Sequence, residues 1–140
     1  MSAVPELRRI AINLPADCQP SLNEWRRWHW ARRHRHQGYV SDLVTIAALQ
    51  ALWRGGPMER AVVSVTYHLP PGPRRDPDNY SPKFILDGLR AAAIIRDDDA
   101  RHITLDVRIG EPRRPGEIAV MVEEREMEMT GRKETEEVSR

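Results

Sequence analysis

Four short stretches of this chain carry a strand pattern, and two stretches between them carry a helix pattern. That interleaving constrains the fold more than any other feature. Residues 8–14, RRIAINL, alternate apolar and polar positions around β-branched side chains. Residues 60–69, RAVVSVTYHL, are rich in β-formers, with Val62, Val63 and Val65 followed by Thr66 and Tyr67. Residues 101–109 alternate again, so that Ile103, Leu105, Val107 and Ile109 are expected on one face, and 117–123, EIAVMVE, form a last strand. Between the first two, SDLVTIAALQALWR places Leu43, Val44, Ala47 and Ala51 on one stripe. This predicts a helix capped near Ser41 and stopped by Gly55-Gly56-Pro57. Residues 22–38 show no clean period. A second helix is expected from a cap at Asp78 or Asn79 to about Ala93, with Pro82 tolerated in its first turn and Ile85, Leu86, Leu89 and Ala92 as its core stripe. The order β, α, β, α, β, β predicts an α+β domain, a mixed β-sheet packed with two main helices.

The 140 residues suit one domain, expected over 1–123, with 124–140 as a charged and flexible tail. Residues 123–140 hold seven Glu against four Lys or Arg, so the rest of the chain is positive although the net charge is only +1. The single cysteine, Cys18, excludes an internal disulfide framework and fits a reducing cytoplasm. No apolar run approaches the roughly 18 residues needed to span a bilayer, and no signal peptide precedes the first strand, so a cytoplasmic protein without a membrane partner is expected.

Chemistry concentrates in RRDPDNYSPKFILDGL, residues 74–89. Asp76 and Asp78 flank Pro77, which drives Asp76 out of the helical region. In an extended segment both carboxylates would leave the same face. Two like charges held together imply a cation, and hard oxygen ligands suit Mg²⁺, with Mn²⁺ as a substitute. An EF-hand is excluded, because Tyr80, Ser81 and Asp87 stand where its loop needs an oxygen ligand, Gly and Glu. The plain alternative is a polar loop in which Arg74 or Arg75 neutralises Asp76. Asn79, Lys83 and Asp87 are spaced to share a helical face, with Lys83 one turn beyond the acids, where it could meet a phosphate. Asp97, Asp98 and Asp99 follow the apolar run 91–95. A return of the chain could bring them beside the first pair, as a phosphodiester-cleaving metal site would need.

A second concentration is RRWHWARRHRH, residues 26–36, with five Arg, three His and two Trp in eleven positions. Arg26, Arg27, Arg32, Arg33 and Arg35 would meet phosphates together with Arg74 and Arg75. Trp28 and Trp30 could stack on exposed bases, and His29 is a polar contact. His68 and His102 receive no role.

Asp76-Pro77-Asp78-Asn79, then Lys83, then Leu86-Asp87-Gly88-Leu89, then Ile94-Ile95 and Asp97-Asp98-Asp99 resemble the RusA family of Holliday junction resolvases over roughly residues 9–122. Arg74-Arg75, Pro20-Ser21-Leu22-Asn23 and His29-Trp30-Ala31-Arg32-Arg33 fit the phage-type members. The resemblance implies a small α+β homodimer that binds four-way DNA junctions and cuts them symmetrically with Mg²⁺, without a nucleotide cofactor. It maps the essential acids onto Asp76, Asp78 and one of Asp97, Asp98 and Asp99, with alignment back from Asp87 pointing to Asp98, and the site lysine onto Lys83. Asn79, Asp87, Asp97 and Asp99 are supporting positions. The chain departs from the pattern by one extra residue between Asn79 and Lys83. The competing class is a non-catalytic DNA-binding module that uses the basic segment.

Overall fold

The computed structural model describes residues 6–126. Its elements are β1 (Arg9–Pro15), α1 (Leu22–Trp25), α2 (Trp30–Gln50), β2 (Ala61–His68), α3 (Lys83–Ala91), β3 (Ile103–Ile109) and β4 (Glu117–Glu124), with short 3₁₀ turns at Ala16–Cys18 and Pro77–Asn79. The α+β expectation holds. The sheet has four strands in the order β1-β4-β2-β3. β4 is antiparallel to both β1 and β2, whereas β2 and β3 run parallel. A parallel pair needs a crossover, and α3 supplies it.

Alternation puts Ile10, Ile12 and Leu14 of β1, Ala61, Val63, Val65 and Tyr67 of β2, and Ile118, Val120 and Val122 of β4 into one buried cluster. Val40, Val44 and Ala48 of α2 and Phe84, Ile85, Leu86 and Leu89 of α3 complete that cluster. Gly88 lets the two helices approach closely, since a Cβ there would lie 3.0 Å from Val44 Cγ2. In β3 the expected alternation is only partly buried. Ile103 is covered, but Leu105 remains 42% exposed on this edge strand.

Four expected boundaries move. The first long helix begins at Trp30, not near Ser41, and absorbs most of the segment without a clean period. The core-facing positions of its first turns are Arg33, His36 and Gln37, each with an internal partner, although Arg33 Nε is buried without a hydrogen bond among the described residues. Arg33 lies over Trp25, His36 Nε2 meets the Cys18 carbonyl at 2.7 Å, and Gln37 donates to the Phe84 carbonyl at 3.0 Å. Polar groups on the inner stripe erase the hydrophobic period that a sequence reading depends on. That helix also ends before the Gly-Gly-Pro stop. Leu52 takes a left-handed backbone, φ 59, and Trp53 N–H reaches back to the Ala48 carbonyl at 3.0 Å, which is a Schellman closure.

The second helix begins at Lys83, not at Asp78 or Asn79. Its first N–H groups are held by Gln19, whose Oε1 accepts from Phe84 N at 2.9 Å and from Ile85 N at 3.3 Å. The last strand runs through Glu124, one residue past the expected domain boundary at 123. Glu124 accepts from the Arg8 backbone and guanidinium, while residues 127–140 of the expected tail lie outside the described residues. No helix among the described residues is long and apolar enough to cross a membrane.

Candidate metal and nucleic-acid site

After β2 the proline-rich loop leads into Asp76, which is extended (φ −98, ψ 119), as a residue before proline should be. Pro77 then opens a 3₁₀ turn, and Asp76 Oδ1 accepts the Asp78 N–H at 3.1 Å. The segment is therefore extended only as far as Asp76. The two carboxylates stand on successive arms of a turn rather than on one face of a strand. Asn79 is in the same turn and not on α3. Its Oδ1 accepts from Asn23 N at 3.0 Å, which ties the acidic turn to α1. Tyr80, buried beside Tyr67, anchors the other end.

Asp76 and Asp78 are exposed, and among the described residues neither forms an ion pair with a cationic side chain. The nearest arginine in sequence is committed elsewhere. Arg75 donates to the carbonyls of Pro73 at 3.2 Å and Pro70 at 3.3 Å and to Tyr80 Oη at 3.3 Å. Arg74 is exposed and forms no ion pair among the described residues. Arg74, Arg75, Asp76 and Pro77 line a depression of about 340 Å³. The plain reading, Asp76 neutralised by its arginine neighbours, is not formed. Two hard oxygen donors without a counter-charge fit a divalent cation.

Lys83 and Asp87 share the exposed face of α3 as expected, paired at 3.4 Å, but Asn79 does not join them. The row of charges continues instead through Arg90, 3.7 Å from Asp87, 3.5 Å from Asp97 and 3.8 Å from Asp98. Such pairs contribute a few tenths of a kcal/mol each in solvent, so their value is positional. They line one face of α3 with alternating charge, from Lys83 beyond the acidic turn to the later acids.

Asp97, Asp98 and Asp99 lie in the turn that enters β3, and the Pro77–Asn79 turn packs against β3 as well. Both acidic segments thus border the same edge strand. Among the described residues, the group of ligand atoms gathered within 4.8 Å is, however, Asp97, Asp99 and His102, not Asp76, Asp78 and Asp98. That group could hold a metal ion. Asp97 and Asp98 both face Arg90, at 3.5 and 3.8 Å, and Asp97 is shared between Arg90 and the Asp99–His102 group. The Asp98 N–H and then the Arg90 guanidinium hold the Asp97 carboxyl below the ordinary carboxylate range. A hydrogen bond from His102, 2.6 Å away, and the Arg101 N–H do the same for Asp99. Both acids are therefore in their ligating, ionised form at neutral pH. His102 was passed over in the sequence; its signal was the three-residue spacing from Asp99 at a turn.

The basic segment, which shows no clean period, is mostly helical. His29 is the N-cap of α2, its Nδ1 accepting from Ala31 N at 3.2 Å. The residues expected at DNA divide into two sets. Trp25 and Trp28 pack on Phe84, with ring centroids 5.2 and 6.2 Å away, and Arg33 and Arg32 lie over them at 5.2 and 4.2 Å. Arg33 also donates to the Arg26 carbonyl at 2.6 Å, so it is a structural brace. Arg26, Arg27 and Arg35 are exposed, and Trp30 is 72% exposed.

A scan against protein-family models and a search of curated proteins each find no match to this chain.

Proposed function

We propose that this chain is a RusA-like, Mg²⁺-dependent, structure-specific endodeoxyribonuclease that resolves four-way junctions or related branched DNA. The observation that carries the reading is the acidic turn. Asp76 and Asp78 are exposed without a counter-ion among the described residues, although Arg75 is adjacent and turned away. Such a pair would repel a phosphate backbone unless a cation stood between them. Asp76 and Asp78 would hold that cation, while Asp87, Asp97 and Asp98 hold the Arg90 side chain farther along α3. A bound Mg²⁺, or Mn²⁺ in its place, supplies Lewis-acid stabilisation of the scissile phosphate and lowers the pKa of an attacking water.

The chain's own residues bind and orient. Lys83, more than half exposed and held among the described residues by a 3.4 Å contact to Asp87, is free to swing to a phosphate oxygen. Arg26, Arg27, Arg35 and Arg74 supply exposed cations for the backbone on either side. A four-way junction has two-fold symmetry and two strands to cut, which a C₂ homodimer with one site per subunit would match.

The test is cleavage of a labelled synthetic four-way junction with Mg²⁺, with EDTA, and by the Asp78→Asn protein, beside a linear duplex. Paired nicks on the junction alone are expected, lost with EDTA and reduced about 100-fold or more in Asp78→Asn, with junction binding kept. Binding without cleavage in Mg²⁺ or Mn²⁺ would leave the alternative, a DNA-binding module whose acids only shape the turn.

A further inference from the structure

Three tryptophans stand near the start of α2, and only one of them has no packing role. Trp25 is in the core, and Trp28 is wedged between Phe84 and His36 under the Arg32 guanidinium. Trp30, the first residue of α2, exposes 72% of its surface, and its one ring neighbour is His29, tilted at 5.6 Å. A single exposed apolar residue means little by itself. In the same stretch of chain, however, Arg26, Arg27, His34 and Arg35 are all exposed and none is in an ion pair among the described residues, with His34 one turn on from Trp30 on the same side of α2. The first turn of α2 holds no acid either. Concentrated positive charge around a bare aromatic face fits a polyanion that offers a flat face of its own.

A fully paired duplex offers charge but hides its base faces in the stack. An acidic peptide offers charge without a face. A lipid surface would require an apolar stripe along the helix, whereas the positions one and two turns beyond Trp30 are Arg33, His34 and Gln37. An unpaired nucleotide satisfies both demands.

Resting on the branched-DNA reading above, we propose that Trp30 stacks on an unpaired base at the branch point and so selects DNA with an opened base over intact duplex. His29 is its positioning residue. By capping α2 it fixes the backbone from which the indole projects, and its ring lies beside the indole. Arg26, Arg27 and Arg35 hold the flanking phosphates and read no base.

The experiment measures equilibrium binding of the full chain in EDTA, so that cleavage plays no part. The probes are a fluorescein-labelled single strand, a four-way junction with unpaired bases at its centre, and a linear duplex, each over a salt series. Trp30→Ala is expected to weaken binding to the first two about tenfold, to leave the duplex unchanged, and to keep the slope of log K against log salt. Trp30→Phe should recover most of the loss, whereas Arg35→Ala should weaken all three probes and flatten the slope. Equal effects of Trp30→Ala on duplex and junction, or no effect, would overturn the stacking role while leaving DNA binding intact. Failure of the unaltered protein to bind any DNA, or binding to anionic vesicles instead, would overturn the branched-DNA reading along with it.

Discussion

Gln19 holds the amino end of α3 from a different part of the chain. The helix enters from Pro82, which has no side-chain acceptor, so its first free N–H groups need an outside partner. Gln19 is 1% exposed and provides one oxygen to Phe84 and Ile85. Gln19→Leu would leave two buried donors unpaired, at a cost of about 2–3 kcal/mol. Urea unfolding should show a lower midpoint with an unchanged slope. Because α3 carries Lys83 and Asp87, the same change should also loosen the site. None of this could be read locally: ADCQPS looks like a structure breaker, and the partner lies 65 positions away.

Both long helices end with a non-glycine residue in left-handed backbone, Leu52 at φ 59 and Ala93 at φ 57. In each, a Schellman bond closes the last turn, Trp53 N–H to the Ala48 carbonyl and Ile94 N–H to the Leu89 carbonyl. Trp53 Nε1 also donates to the Ala93 carbonyl at 3.0 Å, joining the two helix ends. A Cβ in this region is strained, and glycine relieves the strain while keeping that carbonyl. Ala93→Gly is therefore expected to raise stability by about 0.5–1 kcal/mol, read as a melting temperature higher by about 2–4 °C. The extra length of α2 belongs to this scale too. Its first turns carry polar residues inward, and those residues find partners only once Cys18, Trp25 and Phe84 are in place.

Across the whole domain, Arg8 joins three separated parts of the chain. It binds Glu124 at the end of β4 through two guanidinium nitrogens, donates to the carbonyls of Arg54 and Gly56 at 2.7 and 2.8 Å, and lies 4.6 Å over Trp53. Its hydrogen bonds hold the Glu124 carboxyl below the ordinary carboxylate range. A depressed folded pKa adds stability above the unfolded value, about 4.3, and that stability is lost as pH falls through the folded value. Glu124→Gln should thus cost about 0.5–1 kcal/mol near neutral pH, and the gap to the unaltered protein should close below about pH 4. Denaturant midpoints measured across that range check the sign.

The sequence by itself determined the class of fold, because alternation and β-branched composition are local properties that survive in any context. It put four strands and two main helices in the right order. It also named the acids and the lysine on which the proposed chemistry rests, since Asp76, Asp78, Lys83 and the 97–99 acids can be read without coordinates. Tertiary structure decided what those residues touch. Arg75 turns to carbonyls rather than to Asp76, Asn79 anchors to α1 rather than riding on α3, and Asp99 draws in His102. It also divided the tryptophans, packing Trp28 on Phe84 and leaving Trp30 bare. The physical reason is the same in each case. A polar or aromatic side chain has several acceptable partners of similar energy, and which one it takes depends on what the closed core brings within about 3–5 Å.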